Sequence, residues 1–437
     1  MRTPPNSLVK KSSSVGSGIF QRRIQYLVLA IVVAVGTRMH ASTWYVSTSG
    51  SDSNSCATAA TACATPAAAY LKASGGDTIL VSPGIYGNQN FTANPHNPSS
   101  TITMAPNGGQ VTLGQINFNG ATYLEIVGTP WTGVTACNSS ATCNITTTTD
   151  FFVQLTTSPV TTNDTLTNVN VAGGVFGLGG NNFTMRGGAM GPGVDYHPQI
   201  APANGYNGQL LNWVFDGVYF HDWTRSNSSV HTECLQVAGG TNMTIRRSKF
   251  HNCSVFDLSF TTYNNAGPVT NITVENNWFD ATYVDPCCGQ GYFAINISQT
   301  AGGSFDFNSS MQAFVEQSQN TGTMTYTANV FGSGAILDGG NGVCIAQSGT
   351  AVYNYNITPG WKCGPNDSSG TPTFVNAAAF NLNLAAGSVA LDFVPLSIPY
   401  PTTDIDGHSR PDGNANDAGA SQAVLVNPPT GLTAVVQ

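Results

Sequence analysis

Histidine and carboxylate side chains are concentrated in one part of this sequence. His221, His231 and His251 fall within one short stretch, Glu233 lies among them and Asp257 follows shortly after. An imidazole held by a carboxylate takes up and releases a proton near neutral pH, which is the basis of general acid–base catalysis. The alternative is that the cluster only orders a turn, and the sequence leaves both interpretations open.

The cluster falls inside a short cassette that returns at nearly constant spacing, with one longer interval before its fifth copy. Such a period indicates stacked units that are each too small to bury their own apolar face. Apolar residues alternate within a copy, as in a strand. The sequence therefore predicts an all-β parallel solenoid. The copies are FTMRGGAM from Phe183, WVFDGVYF from Trp213, MTIRRSKF from Met243, ITVENNWF from Ile272 and MTYTANVF from Met324.

In-register stacking would align the cassettes into rows of side chains about 4.8 Å apart. The first row alternates in charge, which predicts an outward ladder of ion pairs that fixes the register. Its members are Arg186, Asp216, Arg246 and Glu275.

Two further rows carry side chains that could meet a ligand. Tyr219, Lys249 and Trp278 form one of them, and aromatic rings beside a cation can hold a sugar. The alternative is ordinary strand decoration, because aromatic residues favour strands. A third row contains His221, His251 and Asp280.

Residues 1–41 have the composition of an export signal. Arg22 and Arg23 precede an apolar run over residues 24–36, and small residues end at Ala41. We expect a cleaved signal peptide and a secreted or cell-surface protein. The alternative is a retained N-terminal anchor, which would be the chain's only membrane contact.

The part that follows the export segment is strongly acidic. It keeps 8 of the 14 bases and all 22 acids, a formal net charge of −14. Such a surface repels phosphate backbones, so nucleic acid is excluded as an expected partner.

All ten cysteines lie after residue 41, and their even number favours disulfides. Cys287 and Cys288 are adjacent, so they either pair with each other or with other cysteines. The other predicted pairs are Cys56/Cys63, Cys137/Cys143, Cys234/Cys253 and Cys344/Cys363.

Both ends of the exported part resemble secreted bacterial right-handed parallel β-helix proteins of the pectin-lyase-like superfamily. The opening motifs are WYVS from Trp44, GSD from Gly50, GGDTILV from Gly75 and PGIY from Pro83. The closing motifs are FVN from Phe374, LAAGS from Leu384, DIDG from Asp404, RP from Arg410 and DAGA from Asp417. The resemblance implies a right-handed parallel β-helix over residues 42–422 with an N-terminal cap that includes a helix near residues 67–73. Residues 423–437 are expected to form a linker-like tail.

The resemblance implies a carbohydrate-active protein that acts on an acidic polysaccharide. In a lyase, Lys249 or His231 would be the base, and Arg225 or Arg247 would neutralise the substrate carboxylate. In a hydrolase, Glu233 and Asp257 would flank the scissile bond. His251 is a further catalytic candidate.

The same resemblance allows a calcium ion, with Asp222, Asp257 and Asp280 as its ligands. Tyr219 and Trp278 would contact the sugar. The Asn-x-Asp, Asp-Asp and Gly-His-Gly set of related polygalacturonases is not present, so no catalytic residue carries over directly. The alternative function is a non-catalytic extracellular protein that binds glycan or forms a rigid spacer, and a monomer is expected in either case.

Overall fold

The computed structural model describes residues 41–130, 142–154, 160–202, 210–262, 267–280, 284–285, 289–290, 295–311, 313–338, 342–344, 349–411 and 413–423. Within these ranges the chain winds through three long sheets, which we call sheets 1, 2 and 3. Neighbouring strands within each sheet come from successive turns of the chain and are almost all parallel. The fold is a right-handed parallel β-helix, as predicted. No described helix is long and apolar enough to cross a membrane.

Sheet 1 has 14 strands, 12 of them in one continuous path. Those 12 are Thr43–Val46, Thr78–Val81, Ile102–Pro106, Leu124–Val127, Thr165–Thr167, Thr184–Arg186, Val214–Asp216, Thr241–Arg246, Thr270–Glu275, Gly303–Asp306, Thr323–Thr327 and Thr350–Asn354. Gly180–Asn181 and Leu210–Leu211 lie beside this path.

Sheets 2 and 3 have 11 strands each. Sheet 2 contains Gly84–Ile85, Val111–Leu113, Ile145–Thr147, Val169–Val171, Ala189–Met190, Gly193–Val194, Tyr219–Thr224, Lys249–Cys253, Trp278–Phe279, Ser309–Ser310 and Val330–Phe331. Sheet 3 contains Gln89–Thr92, Ile116–Asn119, Phe151–Gln154, Val175–Gly177, Gln199–Ile200, Gln236–Val237, Leu258–Phe260, Ile295–Ser298, Ala313–Ser318, Gly334–Asp338 and Gly342–Val343.

The remaining elements are short. The helices are Pro66–Tyr70 and the 3₁₀ turns Ala59–Thr61 and Ala377–Ala379. The hairpins are Val284–Asp285 with Gly289–Gln290, Phe374–Asn376 with Asn381–Leu384, and Val394–Pro395 with Ala415–Asn416.

The predicted cassettes stack in register. Met185 pairs with Phe215, Phe215 with Ile245, and Ile245 with Val274, all buried in the core. The longer interval before the fifth copy is explained by one further rung, Gly303–Asp306, which lies between the strands of the fourth and fifth copies in sheet 1. Gly303 replaces the apolar first residue of the other copies, so this rung does not match their sequence pattern.

Stacked aromatic rings form the centre of the core. Phe220, Phe250 and Phe279 occupy aligned positions in sheet 2 and stack with centroid distances of 4.7 and 4.9 Å. All three are fully buried. Ring stacking adds to the burial of apolar area and fixes the register of neighbouring rungs.

The N-terminal cap contains the predicted helix, with its bounds at Pro66–Tyr70. Thr65 accepts a hydrogen bond from the Ala68 backbone N–H at 3.2 Å, and Pro66 occupies the first helical position. The buried Tyr70 hydroxyl bonds the Thr122 carbonyl at 2.9 Å, which attaches the helix to the solenoid.

Residues 371–422, which we call the closing segment, fold back along the outer face of sheet 2. Trp278 of sheet 2 clusters with Leu382, Ile405 and Ala420 of the segment. The Arg410 guanidinium is buried and bonds Asn276 at 3.3 Å. Part of sheet 2 is therefore covered by the closing segment.

Three predicted disulfides are confirmed: Cys56–Cys63, Cys234–Cys253 and Cys344–Cys363. Cys143 is also disulfide-bonded. Residues 1–40 of the predicted signal (1–41) and residues 424–437 of the predicted tail (423–437) lie outside the described residues, as do Cys137, Cys287 and Cys288.

Candidate functional site

The loop between Tyr219–Thr224 of sheet 2 and Gln236–Val237 of sheet 3 carries three of the predicted site residues. It is fixed to the next rung by two backbone hydrogen bonds, from Val255 to Thr232 at 3.2 Å and from Cys234 to Phe256 at 2.9 Å. The Cys234–Cys253 disulfide links the same two rungs. A loop anchored in this way holds its side chains in fixed positions, as a catalytic constellation requires.

Glu233 lies at the centre of this loop with a side chain that is only 1% exposed. One carboxylate oxygen, Oε1, is 3.2 Å from Nδ1 of His231, and the other, Oε2, is 3.1 Å from Nδ1 of His197. A buried carboxylate is costly unless it is paired; His231 supplies a hydrogen bond to one oxygen, and the His197 imidazole lies beside the other. The structure thus brings together His231 and Glu233, as the sequence predicted.

His197 also belongs to this site, although it is not among the residues predicted from the sequence. Its Nδ1 is also 2.9 Å from the His231 carbonyl, and its Nε2 is 3.2 Å from Oε1 of Gln236. The shorter contact to the carbonyl leaves Oε2 of Glu233 without a hydrogen-bond donor among the described residues. The signal that could have found His197 is the rung period, since it precedes the sheet 3 strand that pairs with Gln236.

His231 is the accessible member of the group, with a side chain that is 66% exposed. The hydrogen bond to Glu233 raises its pKa above the ordinary value of 6.5, while burial and the charge of Arg225 act in the opposite direction. Because Nδ1 faces Glu233, the other ring nitrogen, Nε2, is the one available to a ligand. Arg225 is held by a 3.3 Å hydrogen bond from Nη1 to the Val230 carbonyl.

Sheet 3 continues from this loop as a row of mainly polar side chains. Gln199 and Gln236 are register partners and are joined by a side-chain hydrogen bond of 2.5 Å. Ser259 and Asn296 continue the row and are bonded at 3.2 Å. On the other side Phe176 pairs with Gln199, and its ring stacks on Tyr196 with a centroid distance of 6.3 Å. Amides, hydroxyls and an aromatic ring are the groups that carbohydrate sites use.

Asp257 lies one rung from Glu233 and is 2% exposed. A carboxylate oxygen of Asp257 and the sulfurs of Cys234 and Cys253 lie within 4.8 Å of one another. Because these sulfurs form a disulfide, they are not metal ligands. Asp257 is therefore a buried side chain beside the disulfide.

The predicted histidine row is present on sheet 2, where His221 pairs with His251. Each imidazole contacts its own carboxylate, Asp222 at 2.8 Å for His221 and Asp280 for His251. The His251 ring stacks on Phe380 of the closing segment with a centroid distance of 4.8 Å. The row therefore consists of two separate histidine–aspartate pairs, and the closing segment covers the one at His251.

The predicted calcium ligands Asp222 and Asp280 do not fit a calcium ion. Asp222 accepts from His221 and, through Oδ1, from the Asn252 side chain at 2.8 Å. Asp280 contacts His251 and the Asn252 backbone N–H. Calcium needs six to eight oxygen ligands, and both carboxylates here are oriented by nitrogen donors instead.

The row of Tyr219, Lys249 and Trp278 is aligned as predicted. Nζ of Lys249 lies 3.9 Å from the centre of the Trp278 ring and 3.8 Å from Oδ1 of Asp406. Trp278 is only 4% exposed, so its ring offers no open face to a sugar. Burial lowers the pKa of Lys249 and raises that of Tyr219 to about 12. Lys249 is therefore engaged with the closing segment and not with the His231–Glu233 pair.

Arg247 lies near the turn between sheets 1 and 2. Its Nε and Nη2 donate to the two oxygens of Asp216 at 2.8 and 2.7 Å, and Arg246 contacts the same carboxylate at 3.0 Å. Asp216 is 2% exposed. The predicted ladder is confirmed only for the pair of Asp216 and Arg246. It does not point outward at Asp216, which is buried, and within the described ranges neither Arg186 nor Glu275 has an ion pair within 4.0 Å.

No family model matches this chain, and no curated protein matches it. Solved structures of similar shape include a pectate lyase, Pel9A, with 14% identity and a TM-score of 0.47 over 87% of this chain and 96% of that one. A rhamnogalacturonan lyase has 13% identity and a TM-score of 0.36 over 86% and 96%. A GH136 lacto-N-biosidase from Eubacterium ramulus has 11% identity and a TM-score of 0.34 over 76% and 66%.

The fold itself is a parallel β-helix, as the stacked parallel sheets show. At these identities and TM-scores the likenesses do not indicate an activity for this protein. The parallel β-helix predicted from the sequence is confirmed by the strand register.

Proposed function

We propose that this β-helix protein is a secreted polysaccharide lyase that cleaves an acidic polysaccharide by β-elimination. The observation that supports this function best is the buried Glu233 carboxylate, which bonds His231 and lies next to His197 beside the polar row of sheet 3. The predicted export signal and the three disulfides support secretion.

His231 would act as the base. Its Nε2 takes the proton from the substrate carbon next to the carboxylate, the electron pair left behind forms a carbon–carbon double bond, and the glycosidic bond to the neighbouring carbon breaks. The departing oxygen takes a proton from water, so the products are a new sugar end and an unsaturated uronide. Glu233 holds the Nδ1–H of His231 and stabilises the imidazolium that forms.

Arg225 would neutralise the substrate carboxylate. Removing a proton next to a carboxylate is difficult because a second negative charge develops there, and a nearby guanidinium lowers that cost. Arg225 lies on the same loop as His231 and bonds the carbonyl of Val230, the residue next to the proposed base. Arg247, the other predicted neutraliser, is bound to Asp216.

The row on sheet 3 would bind the rest of the polysaccharide. Gln199, Gln236 and Asn296 offer both donors and acceptors to hydroxyl groups, and the half-buried Phe176 offers a ring. Hydrolysis would need a second carboxylate across the scissile bond, and Asp257 faces the disulfide instead. Elimination therefore suits the residues that are present.

Substitution of the proposed base and its partner tests this function. We expect Glu233→Gln and His231→Gln each to lower turnover about 10²- to 10⁴-fold, the usual contribution of a positioned proton-transfer group. His96→Gln is the matched control, since His96 is exposed and lies in the N-terminal part of the solenoid. Full activity of His231→Gln, with a native circular dichroism spectrum, contradicts the assignment. Binding without cleavage by the unmodified chain favours the non-catalytic alternative.

A further inference from the structure

A cavity of about 520 Å³ lies where sheet 1 turns into sheet 2. Its floor comes from the solenoid and its other wall from the closing segment. The lining residues are Arg246, Arg247, Glu275, Asn276, Tyr400, Pro401, Thr402 and Thr403. None of these residues belongs to the His231–Glu233 site, so the cavity is a separate feature of the molecule.

Arg246 is oriented by Asp216, but this ion pair does not occupy all of its N–H donors. Its Nε and Nη2 both donate to Oδ2 of Asp216, at 3.1 and 3.0 Å. Nη1 has no hydrogen-bond partner among the described residues, and the side chain is 42% exposed. The buried Asp216 therefore fixes a guanidinium that still presents donors to the cavity.

Glu275 is the register partner of Arg246 on the next rung. Its carboxylate makes no hydrogen bond and no ion pair within 4.0 Å in the part of the chain that the structure describes. Burial raises its pKa, although the charges of Arg246 and Arg247 act in the opposite direction. A half-buried carboxylate without a partner is costly, and a ligand hydroxyl would relieve that cost.

The wall from the closing segment is held in place by hydrogen bonds. Nδ2 of Asn276 donates to the Thr403 carbonyl at 2.7 Å, and Arg410 donates to Oδ1 of the same asparagine at 3.3 Å. Tyr400 contributes an aromatic ring next to this anchor. The cavity is thus a formed space with an aromatic group, a donor and an acceptor on fixed supports.

We propose that this cavity binds a neutral pyranose unit of a glycan. A sugar hydroxyl both donates and accepts, so neighbouring hydroxyls suit a guanidinium and a carboxylate placed side by side. The Tyr400 ring can contact the C–H face of the sugar. The two arginines are balanced by Asp216 and Glu275, which leaves no excess positive charge to select an acidic sugar.

This second site does not depend on catalysis at Glu233. Simultaneous use of the cavity and of sheet 3 would let one glycan, or two neighbouring ones, contact the protein at two places. Occupation of both sites raises the apparent affinity for a polymeric ligand without any new contact. The cavity therefore adds a binding function to the proposed lyase.

Titration of the purified chain with the methyl glycosides of glucose, galactose and mannose tests the proposal, with glucuronic acid as the charged comparison. We expect saturable binding of at least one neutral glycoside by calorimetry or saturation-transfer NMR. Tyr400→Ala, Glu275→Ala and Arg246→Lys should each weaken it about tenfold or more, the loss expected for a hydrogen bond to a charged group or a ring contact. Tyr400→Phe should retain it.

The matched controls are Arg186→Lys and Glu233→Gln, which should bind the glycoside as the unmodified chain does. Arg186 occupies the same row as Arg246, two rungs away, and does not line the cavity. The proposal is contradicted if none of the neutral glycosides binds, if only glucuronic acid binds, or if the three cavity variants leave the affinity unchanged. Loss of binding in Glu233→Gln would place the sugar at the proposed catalytic site instead.

Discussion

At the scale of single residues, the Glu233 carboxylate is the centre of the proposed site. Its carboxylate is buried, one oxygen bonds His231, and the other lies near His197 but lacks a hydrogen-bond donor in the described structure. The arrangement suits a carboxylate whose partner changes its charge during a reaction.

The titration of His231 gives a direct prediction for this pair. Glu233 raises the pKa of His231 above 6.5, so the imidazole loses its proton only as the pH rises through that raised value. As a base it is active in the unprotonated form, and kcat/KM should therefore rise with pH over the same range. Glu233→Gln should move the His231 titration, followed by NMR, to lower pH because Arg225 remains nearby. An unchanged titration curve would show that the two side chains do not interact.

At the scale of elements, asparagine ladders connect the rungs at two turns. The buried ladder follows sheet 1, and each side chain bonds the next rung and a backbone carbonyl; its members are Asn277, Asn308, Asn329 and Asn356. The exposed ladder has the left-handed backbone conformation at every position; its members are Asn163, Asn182, Asn212, Asn242 and Asn271. Asn242 and Asn271 begin Asn-x-Thr triplets, and their amides are used in this ladder.

Substitution in the two ladders should have unequal effects on stability. Asn308→Ala removes a side chain that bonds the Val274 carbonyl, Asn329 and Asn277, all of them buried. We expect a loss of about 3 kcal/mol in the free energy of unfolding, because buried groups are left without partners. Asn212→Gly, which keeps the left-handed backbone, should cost about 1 kcal/mol or less. Equal losses in chemical denaturation would contradict this account.

Asp306 should make the solenoid less stable at neutral pH. Burial is the main cause that raises its pKa from 3.8 to about 6, and Glu275 on the preceding rung adds to the shift. Since the folded pKa is above the unfolded one, the charged form is disfavoured by folding, and stability falls as pH rises from about 4 to about 6. Asp306→Asn should be more stable by about 2–3 kcal/mol near pH 8 and equal near pH 4.

Asp195→Asn is the control of opposite sign, measured by thermal unfolding at the same two pH values. Hydrogen bonds from Ser226 lower the pKa of Asp195, so its contribution to stability is present above the unfolded pKa and is lost as pH falls. This exposed variant should be slightly less stable near neutral pH. A gain in stability for Asp195→Asn, or no gain for Asp306→Asn, would contradict the directions of the two pKa shifts.

The repeating elements were predictable because strand alternation and a fixed period are local signals. The row of Tyr219, Lys249 and Trp278 followed from that period, and the structure confirms its alignment. The repeat spacing does not predict the path of the chain after the last rung. No local pattern therefore indicated that residues 371–422 return to cover Trp278 and contact Lys249.

In the candidate site too, the residues that are close in sequence were predictable and those that only the stacking of rungs brings together were not. His231 and Glu233 were recognisable because they are nearly adjacent in the chain, whereas His197 belongs to the preceding rung and joins them only through the stacking of rungs. The burial of Asp216 was hidden for a related reason. An alternating row indicates charge complementarity, but exposure depends on neighbouring side chains such as Arg247, which bonds Asp216 from outside the row.

At the scale of the whole molecule, the closing segment divides the surface into a covered side and an open side. Sheet 2 is covered between Lys249 and Val330, where the segment supplies apolar clusters and the buried Arg410. The proposed active site lies at the loop before sheet 3, which the described contacts of the segment do not reach. The segment therefore stabilises one side of the solenoid and leaves the proposed polysaccharide-binding side accessible.

Arg410 should be essential for this closure. Its guanidinium donates to the carbonyls of Asp417 and Gly419 and to Asn276, and it lies 4.9 Å from the Phe307 ring centre. Arg410→Met should lower the free energy of unfolding by about 3–5 kcal/mol, because several buried acceptors lose their donor. Arg186→Met, on the exposed surface, is the control. Equal unfolding midpoints in denaturant would contradict the assigned role.

The measurement that tests the central claim most directly is a cleavage assay of the purified chain on a panel of acidic polysaccharides. New reducing ends and the ultraviolet absorbance of unsaturated uronides are followed together, with and without a calcium chelator. We predict that both signals appear in parallel on at least one substrate and persist in the chelator, and that Glu233→Gln abolishes both. Reducing ends without the absorbance, or no cleavage of any substrate, would contradict the assignment of this β-helix as a lyase.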